Sequence, residues 1–222
     1  RNRLSCRELD PARIQGILVT HEHSDHTSGV GLTARRLTLP IYATRGSLSK
    51  MNNFLDGSEL LVPVESGVPF SIGPFDIQPY GVPHDAVEPV QYCIRSGRKN
   101  IVIATDIGFA STLVVERLKD ADILVIESNY DLELLRKSSY PWPVKQRIMG
   151  KTGHLSNRNA SELIFNLSRN GAMKVILAHL SEDNNYPELA EQTVRELFEK
   201  YERPLDHLFI ATQHEATPVI EI

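Results

Sequence analysis

The chain has little cysteine, no long apolar run and almost no charge bias. Two cysteines in 222 residues, Cys6 and Cys93, cannot build a disulfide framework. That points to a reducing compartment, the cytoplasm. No stretch nears the about 18 consecutive apolar residues that span a bilayer, so no membrane partner is expected. Low-complexity tracts are missing. A net charge of −4 is too small for a disordered acidic tail and has the wrong sign for a generally basic nucleic-acid binder. Internal repeats and Ser/Gly linkers are also lacking, so the sequence predicts a single domain over residues 1–222. The first residue is Arg rather than Met, and the native N-terminal segment is expected to be missing.

Short β-rich apolar runs alternate with helical patterns, as in a layered α/β or α+β domain. Strands are predicted at Ile14–Thr20, Ile41–Thr44, Phe75–Val82, Gln91–Arg95, Ile101–Thr105, Ile123–Glu127, Lys174–Leu177, Leu205–Ala211 and Pro218–Ile222. The polar turn Ser96–Asn100 makes a hairpin of residues 91–105. Helices are predicted at Gly29–Leu37, Ser111–Lys119, Ala160–Ser168 and Pro187–Lys200, the last with Asn185 as its cap.

Three of eight histidines crowd into His21-Glu22-His23-Ser24-Asp25-His26, directly after the apolar run Ile17-Leu18-Val19. In extended backbone His21 and His23 share a face, while Asp25 and His26 lie on the following turn. Imidazoles and a carboxylate suit Zn, Mn or Fe, and two adjacent metal positions could be served. The competing reading is a solvated loop with incidental histidines, and four ligand-type residues in six positions weigh against it. Further ligands must come from later strand ends, where His84, Asp106 and His179 stand. Each alone reads equally as a structural residue, and Asp106 as a helix cap. Glu22 and Ser24 read as outer groups, and Asp85 as a group able to orient His84. His207 and His214 read as core or surface residues.

The string His21–His26, with Asp106, His84 and His179, resembles the motif of the metallo-β-lactamase superfamily. The resemblance covers nearly the whole chain. It implies an α+β, αββα four-layer sandwich, with two packed mixed β-sheets flanked by helices, and two divalent metal ions. His21, His23 and His84 would hold the first metal, Asp25, His26 and His179 the second, and Asp106 would bridge them. True β-lactamases usually lack the final histidine, here His26. Thr20–Gly29, Glu127–Asp131 with Tyr140-Pro141-Trp142, Gly153–Asn157 and Leu177–Asn185 look like the YycJ/WalJ group, which implies a DNA exonuclease. His154, in Gly153-His154-Leu155-Ser156, is similar to a histidine that assists phosphodiester cleavage in ribonuclease Z. The spans His84–Asp106 and Asp106–His179 leave no room for the tRNA-clasping arm of ribonuclease Z or the inserted domain of ribonuclease J. The strands that the family carries before the first motif are expected to be absent.

Residues 134–161 hold six Lys or Arg and no Asp or Glu. Arg136, Lys137, Tyr140, Trp142, Lys145, Arg147, Lys151 and Arg158 could track a phosphate backbone and stack on bases. An ordinary solvated loop is the competing reading. The expected chemistry is in-line attack on phosphorus by a metal-bound hydroxide, oriented by Asp25 and assisted by His154. Two alternatives stay open: a small-molecule hydrolase for a thioester, lactone or cyclic phosphodiester, and a non-catalytic metal-bound nucleic-acid-binding module. Nucleic acid, DNA foremost, is the expected partner.

Overall fold

A computed structural model describes residues 9–168 and 173–221. They pack as two units, the first running to Gly81 with Asp85–Ser96, the second formed by Val82–His84 with the chain from Gly97 onward. No Ser/Gly linker marks the boundary, so the sequence does not announce it. Cys6 lies outside the described residues, and Cys93 is a buried thiol in no disulfide among them.

In the first unit, β1 (Ile17–Leu18), β2 (Ile41–Thr44) and β3 (Leu61–Val64) form a parallel sheet in that order. β1 is shorter than the predicted strand, although Ile17 N–H and Val19 N–H still donate to Pro40 and Tyr42 carbonyls on either side. The helices α1 (Ser24–Thr27), α2 (Val30–Leu37) and α3 (Arg45–Lys50) belong to this unit. Val30 and Ala34, one helical turn apart, bury one face of α2 against Val19, Ile41, Ala43 and Met51. An antiparallel meander of β4 (Phe70–Ile72), β5 (Phe75–Gly81) and β6 (Val90–Ser96) completes the unit. Leu18 packs on its Ile77, Val90 and Tyr92, and Tyr92 Oη donates to the Val19 carbonyl at 2.8 Å. Burial raises the Tyr92 phenol above its ordinary range, so it stays a donor.

The second unit holds four parallel strands, β7 (Lys99–Ala104), β8 (Ile123–Glu127), β9 (Lys174–Ala178) and β10 (Leu208–Ile210), each pairing with the next. Their near-continuous apolar runs suit strands covered on both faces. Val102, Leu124, Ile126, Val175 and Leu177 are all fully buried. Five helices join them: α4 (Thr112–Leu118), α5 (Leu132–Lys137), α6 (Trp142–Ile148), α7 (Asn157–Leu167) and α8 (Pro187–Lys200). Ser111 caps α4, Asp131 caps α5 and Ser156 caps α7, each side chain accepting a first-turn N–H. α8 matches its predicted bounds, but its cap is Tyr186. Asn185 is instead a buried staple, donating to the Ser128 and Asn129 carbonyls and to Asn157 Oδ1. The predicted strand Leu205–Ala211 contracts to β10 because Asp206 and His207 face solvent, and residues 218–221 are irregular. Ile222 lies outside the described residues. Among the described residues, no helix is long and apolar enough to cross a membrane.

Candidate metal centre

In the first unit the chain leaves β1 carrying the histidine string. Val90 N–H donates to the Thr20 carbonyl, and His23 then opens the short α1, where Thr27 Oγ1 donates to the His23 and Glu22 carbonyls. The three imidazoles converge. The ring of His21 lies 4.6 Å from that of His23 and 4.2 Å from that of His26. His21 is buried. Thr20 Oγ1 sits 3.0 Å from His21 Nδ1 and 3.2 Å from His26 Nδ1, and Asp25 Oδ2 is 3.5 Å from His26 Nε2. His21 and His23 lie past the end of β1, and His23, with φ −59° and ψ 148°, is the residue from which α1 starts. Glu22 is an internal tie: Oε1 accepts from Val87 N–H at 2.7 Å and Oε2 from Ser47 Oγ at 3.3 Å. Asp85 Oδ1 faces His23 Nε2 at 4.0 Å.

In the second unit, His84, Asp106, His154 and His179 gather round a residue that the motif reading missed, Glu127. Asp106 follows β7, Glu127 ends β8 and His179 follows β9, so the register of three neighbouring parallel strands places all three at one rim. His84 Nε2 lies 3.7 Å from Asp106 Oδ1, and its Nδ1 faces the Gly153 carbonyl at 3.3 Å. Glu127 is fully buried. Its Oε1 accepts from Ile107 N–H (2.8 Å) and Leu155 N–H (2.9 Å), and its Oε2 lies 3.1 Å from His154 Nδ1 and 3.3 Å from His179 Nδ1. Burial pushes its carboxyl up, but the hydrogen bonds from His154 and His179 outweigh that and hold it below its ordinary value. An ionised carboxylate only accepts, so both imidazoles carry their proton on Nδ1 and offer the Nε2 lone pair outward. A Glu closing the apolar run Ile123–Ile126 was the available signal for this residue.

Backbone geometry supports the cluster. Gly153 is required because a Cβ there would lie 2.2 Å from the Arg147 and Ile148 carbonyl oxygens, and this close approach lets His154 N–H donate to the Ile148 carbonyl. Asp106 and His179 both adopt left-handed backbone, with φ of 51° and 53°. Such conformations cost energy in non-glycine residues and concentrate at functional sites. One donor atom from each of Asp106, Glu127, His154 and His179 can be chosen so that all four lie within 4.8 Å of one another. Glu127 is filled by its N–H donors, whereas the buried Asp106 carboxylate, with His84 Nε2 at 3.7 Å, fits a divalent cation that would compensate its charge. The His/Asp clusters of both units therefore have the chemistry of metal sites.

The basic stretch divides on inspection. Lys137, Trp142, Arg147, Lys151, Arg136 and Arg158 are exposed, the last two pairing with Glu133 and Glu162 along their own helices. Tyr140 donates its hydroxyl to Asp183 at 2.5 Å, which with burial raises its phenol above the ordinary range. Lys145 is a correction: it is buried, and its ammonium donates to the Arg136 and Ser138 carbonyls at 2.7 Å each, closing the end of α5. It is no phosphate contact.

The comparisons agree with this frame. Residues 1–180 match the model of the beta-lactamase superfamily domain. The chain is 36% identical over 199 residues to the exodeoxyribonuclease YycJ of Bacillus anthracis, covering 87% of this chain and 74% of that one. It is 39% identical over 189 residues to the exodeoxyribonuclease WalJ of Streptococcus pneumoniae, covering 83% and 70%. Among solved structures, the metallo-beta-lactamase fold protein YhfI of Bacillus subtilis superposes with a TM-score of 0.68 at 17% identity, over 90% of this chain and 76% of that one. That likeness shows the fold, an α+β arrangement of mixed sheets flanked by helices. The histidine string, the rim of buried carboxylates and these matches together show that the chain belongs to the metallo-β-lactamase superfamily of metal-dependent hydrolases, in its YycJ/WalJ group.

Proposed function

We propose that the protein is a metal-dependent phosphodiesterase acting as a DNA exonuclease in the cytoplasm. The observation that carries this reading is the 36–39% identity to two exodeoxyribonucleases over most of the chain. His21, His23 and His84 would hold one divalent ion and Asp25, His26 and His179 a second, with Asp106 shared. When bound, two such ions neutralise charge on a phosphoryl group and favour ionisation of water. The chain's own groups do the rest. Asp25, whose side chain is 63% exposed, accepts a hydrogen bond from the attacking water. His154, once it has taken up a proton on Nε2, delivers that proton to the leaving oxygen and returns to its lone-pair form, while Glu127 keeps Nδ1 protonated and the ring in place. One P–O bond forms to the water oxygen as the bond to the leaving oxygen breaks, and the proton that the water loses passes to Asp25 and from there to solvent. Arg147, Lys151 and Trp142 are exposed and would contact the strand that is held.

The test is a metal-reconstituted assay of 5′- and 3′-labelled DNA and RNA beside a thioester and a β-lactam. Stepwise release of nucleotides from DNA is expected, and preferential thioester or lactam turnover overturns the reading. A His154→Ala variant should keep its metals and lose about 10²–10⁴ in the chemical step, less on substrates with good leaving groups. Loss of a metal in that variant would make His154 a ligand instead.

A further inference from the structure

A cavity of about 540 Å³ in the second unit is not used by that reading. It lies between the loop that follows β9 and the segment that follows β10, with His179 among its walls. The volume falls within the about 300–1,000 Å³ of small-molecule sites. Its lining has a definite chemistry. Ser181 Oγ accepts from the Asn184 backbone N–H and from Asn184 Nδ2, so its own proton is left to donate. Thr212 Oγ1 accepts from Glu215 N–H and is in the same position. Two flat rings also line it, Tyr186, about half exposed, and His214, whose imidazole pairs with Glu182 at 3.2 Å, and Leu180, Pro187 and Ala211 add apolar wall.

An apolar ligand would leave both hydroxyls unused, and a bare anion would use neither ring. A nucleotide uses all four groups: its phosphate accepts from Ser181 and Thr212, and its base lies against Tyr186 and His214. Glu182 bears on the length of the strand. It lines the same cavity, and none of the residues lining it is Lys or Arg, so the site can hold one phosphate through its hydroxyls but offers no cation for the further phosphates of a strand interior. We infer that this cavity is the subsite for the terminal nucleotide of the DNA strand, beside the scissile phosphate. The inference rests on the phosphodiesterase reading and would account for action from chain ends.

The experiment measures binding of 2′-deoxyadenosine 5′-monophosphate to the metal-reconstituted chain by calorimetry, beside deoxyadenosine and inorganic phosphate. The nucleotide should bind more tightly than either fragment. His214→Ala and Tyr186→Ala should each weaken it about tenfold or more, and Tyr186→Phe, which keeps the ring, should restore it. Tyr186 supports α8 through its backbone carbonyl, which accepts from Leu189 and Ala190 N–H, and His214 is exposed, so both variants should fold. The same variants should raise KM for a labelled oligonucleotide more than they lower kcat. Unchanged nucleotide affinity in both alanine variants overturns the subsite even if DNA is degraded. Weakened affinity in a protein that cleaves no DNA keeps the subsite and overturns the nuclease reading instead.

Discussion

Glu127→Gln is the substitution on which the architecture of the second unit turns. Glu127 Oε1 receives two backbone N–H groups and Oε2 receives two imidazole N–H groups, all at 2.8–3.3 Å and out of reach of water. Glutamine keeps the shape but has one acceptor end and one donor end. If its NH₂ faced Ile107 and Leu155, two buried backbone donors that cannot move their protons would be orphaned, at about 1–3 kcal/mol each. If it faces His154 and His179, both rings can shift the proton from Nδ1 to Nε2 and accept instead. The second arrangement is cheaper. It replaces charge-assisted hydrogen bonds by neutral ones and spares a buried charge, so the net loss of stability should be about 1–2 kcal/mol. Its consequence is chemical: His179 would then present N–H where a ligand lone pair is needed. Metal affinity should fall about 10–100-fold while the fold survives. Glu127→Ala orphans all four donors and should cost about 4 kcal/mol or more. The assay is denaturation in chelator, which isolates the fold, followed by metal titration of the refolded chain. A Glu127→Gln protein that binds metal as tightly as the parent would refute the tautomer argument.

Two further outcomes separate the surface of the basic stretch from its interior. Reversing Arg147 and Lys151 to Glu should weaken DNA binding and flatten its dependence on salt, since fewer counterions are released; an unchanged salt slope would remove that face from the interface. Lys145→Met should leave the salt slope as it is and lower stability by about 1–3 kcal/mol, because two carbonyls lose a buried charged donor, and unfolding in denaturant reads the difference.

The candidate ligands were legible because they are written in residue types at short spacing: His21 to His26 needed no fold to be noticed. His84, Asp106 and His179 were legible as strand ends, for apolar runs such as Ile101–Ala104 and Val175–Ala178 stop just before them. What the sequence could not show was which polar residue is buried. Glu127 reads as the polar end of a strand, and only the register of β8 between β7 and β9 makes it the hub of four hydrogen bonds. Lys145 fails for the converse reason. One cation in a run of six looks like the rest until α6 turns it inward. The missed elements share a cause as well: Pro63 sits within β3, and α5 and α6 are short helices split by Ser138–Pro141, so neither period runs long enough to register.

The left-handed backbone at Asp106 and His179 ties the sheet to the chemistry. Both residues follow parallel strands that flank β8, and there the chain turns sharply, with their side chains held close to Glu127 at the strand end. An L-residue pays for that turn about 1–2 kcal/mol that glycine does not. The cost can be separated from the loss of the carboxylate by comparing Asp106→Gly with Asp106→Ala, since both delete the same side-chain contacts. Glycine loses more freedom on folding, by about 0.5–1 kcal/mol, so at an ordinary helical or extended position the alanine variant would be the more stable. At φ of 51° the order should invert, with Asp106→Gly more stable by up to about 1 kcal/mol in chelator, read from denaturation midpoints at equal m-values. Neither variant should regain metal binding. If Asp106→Ala proved the more stable, the turn would store no strain, and the parallel-strand register alone would have to account for how Asp106 and His179 reach the buried carboxylate.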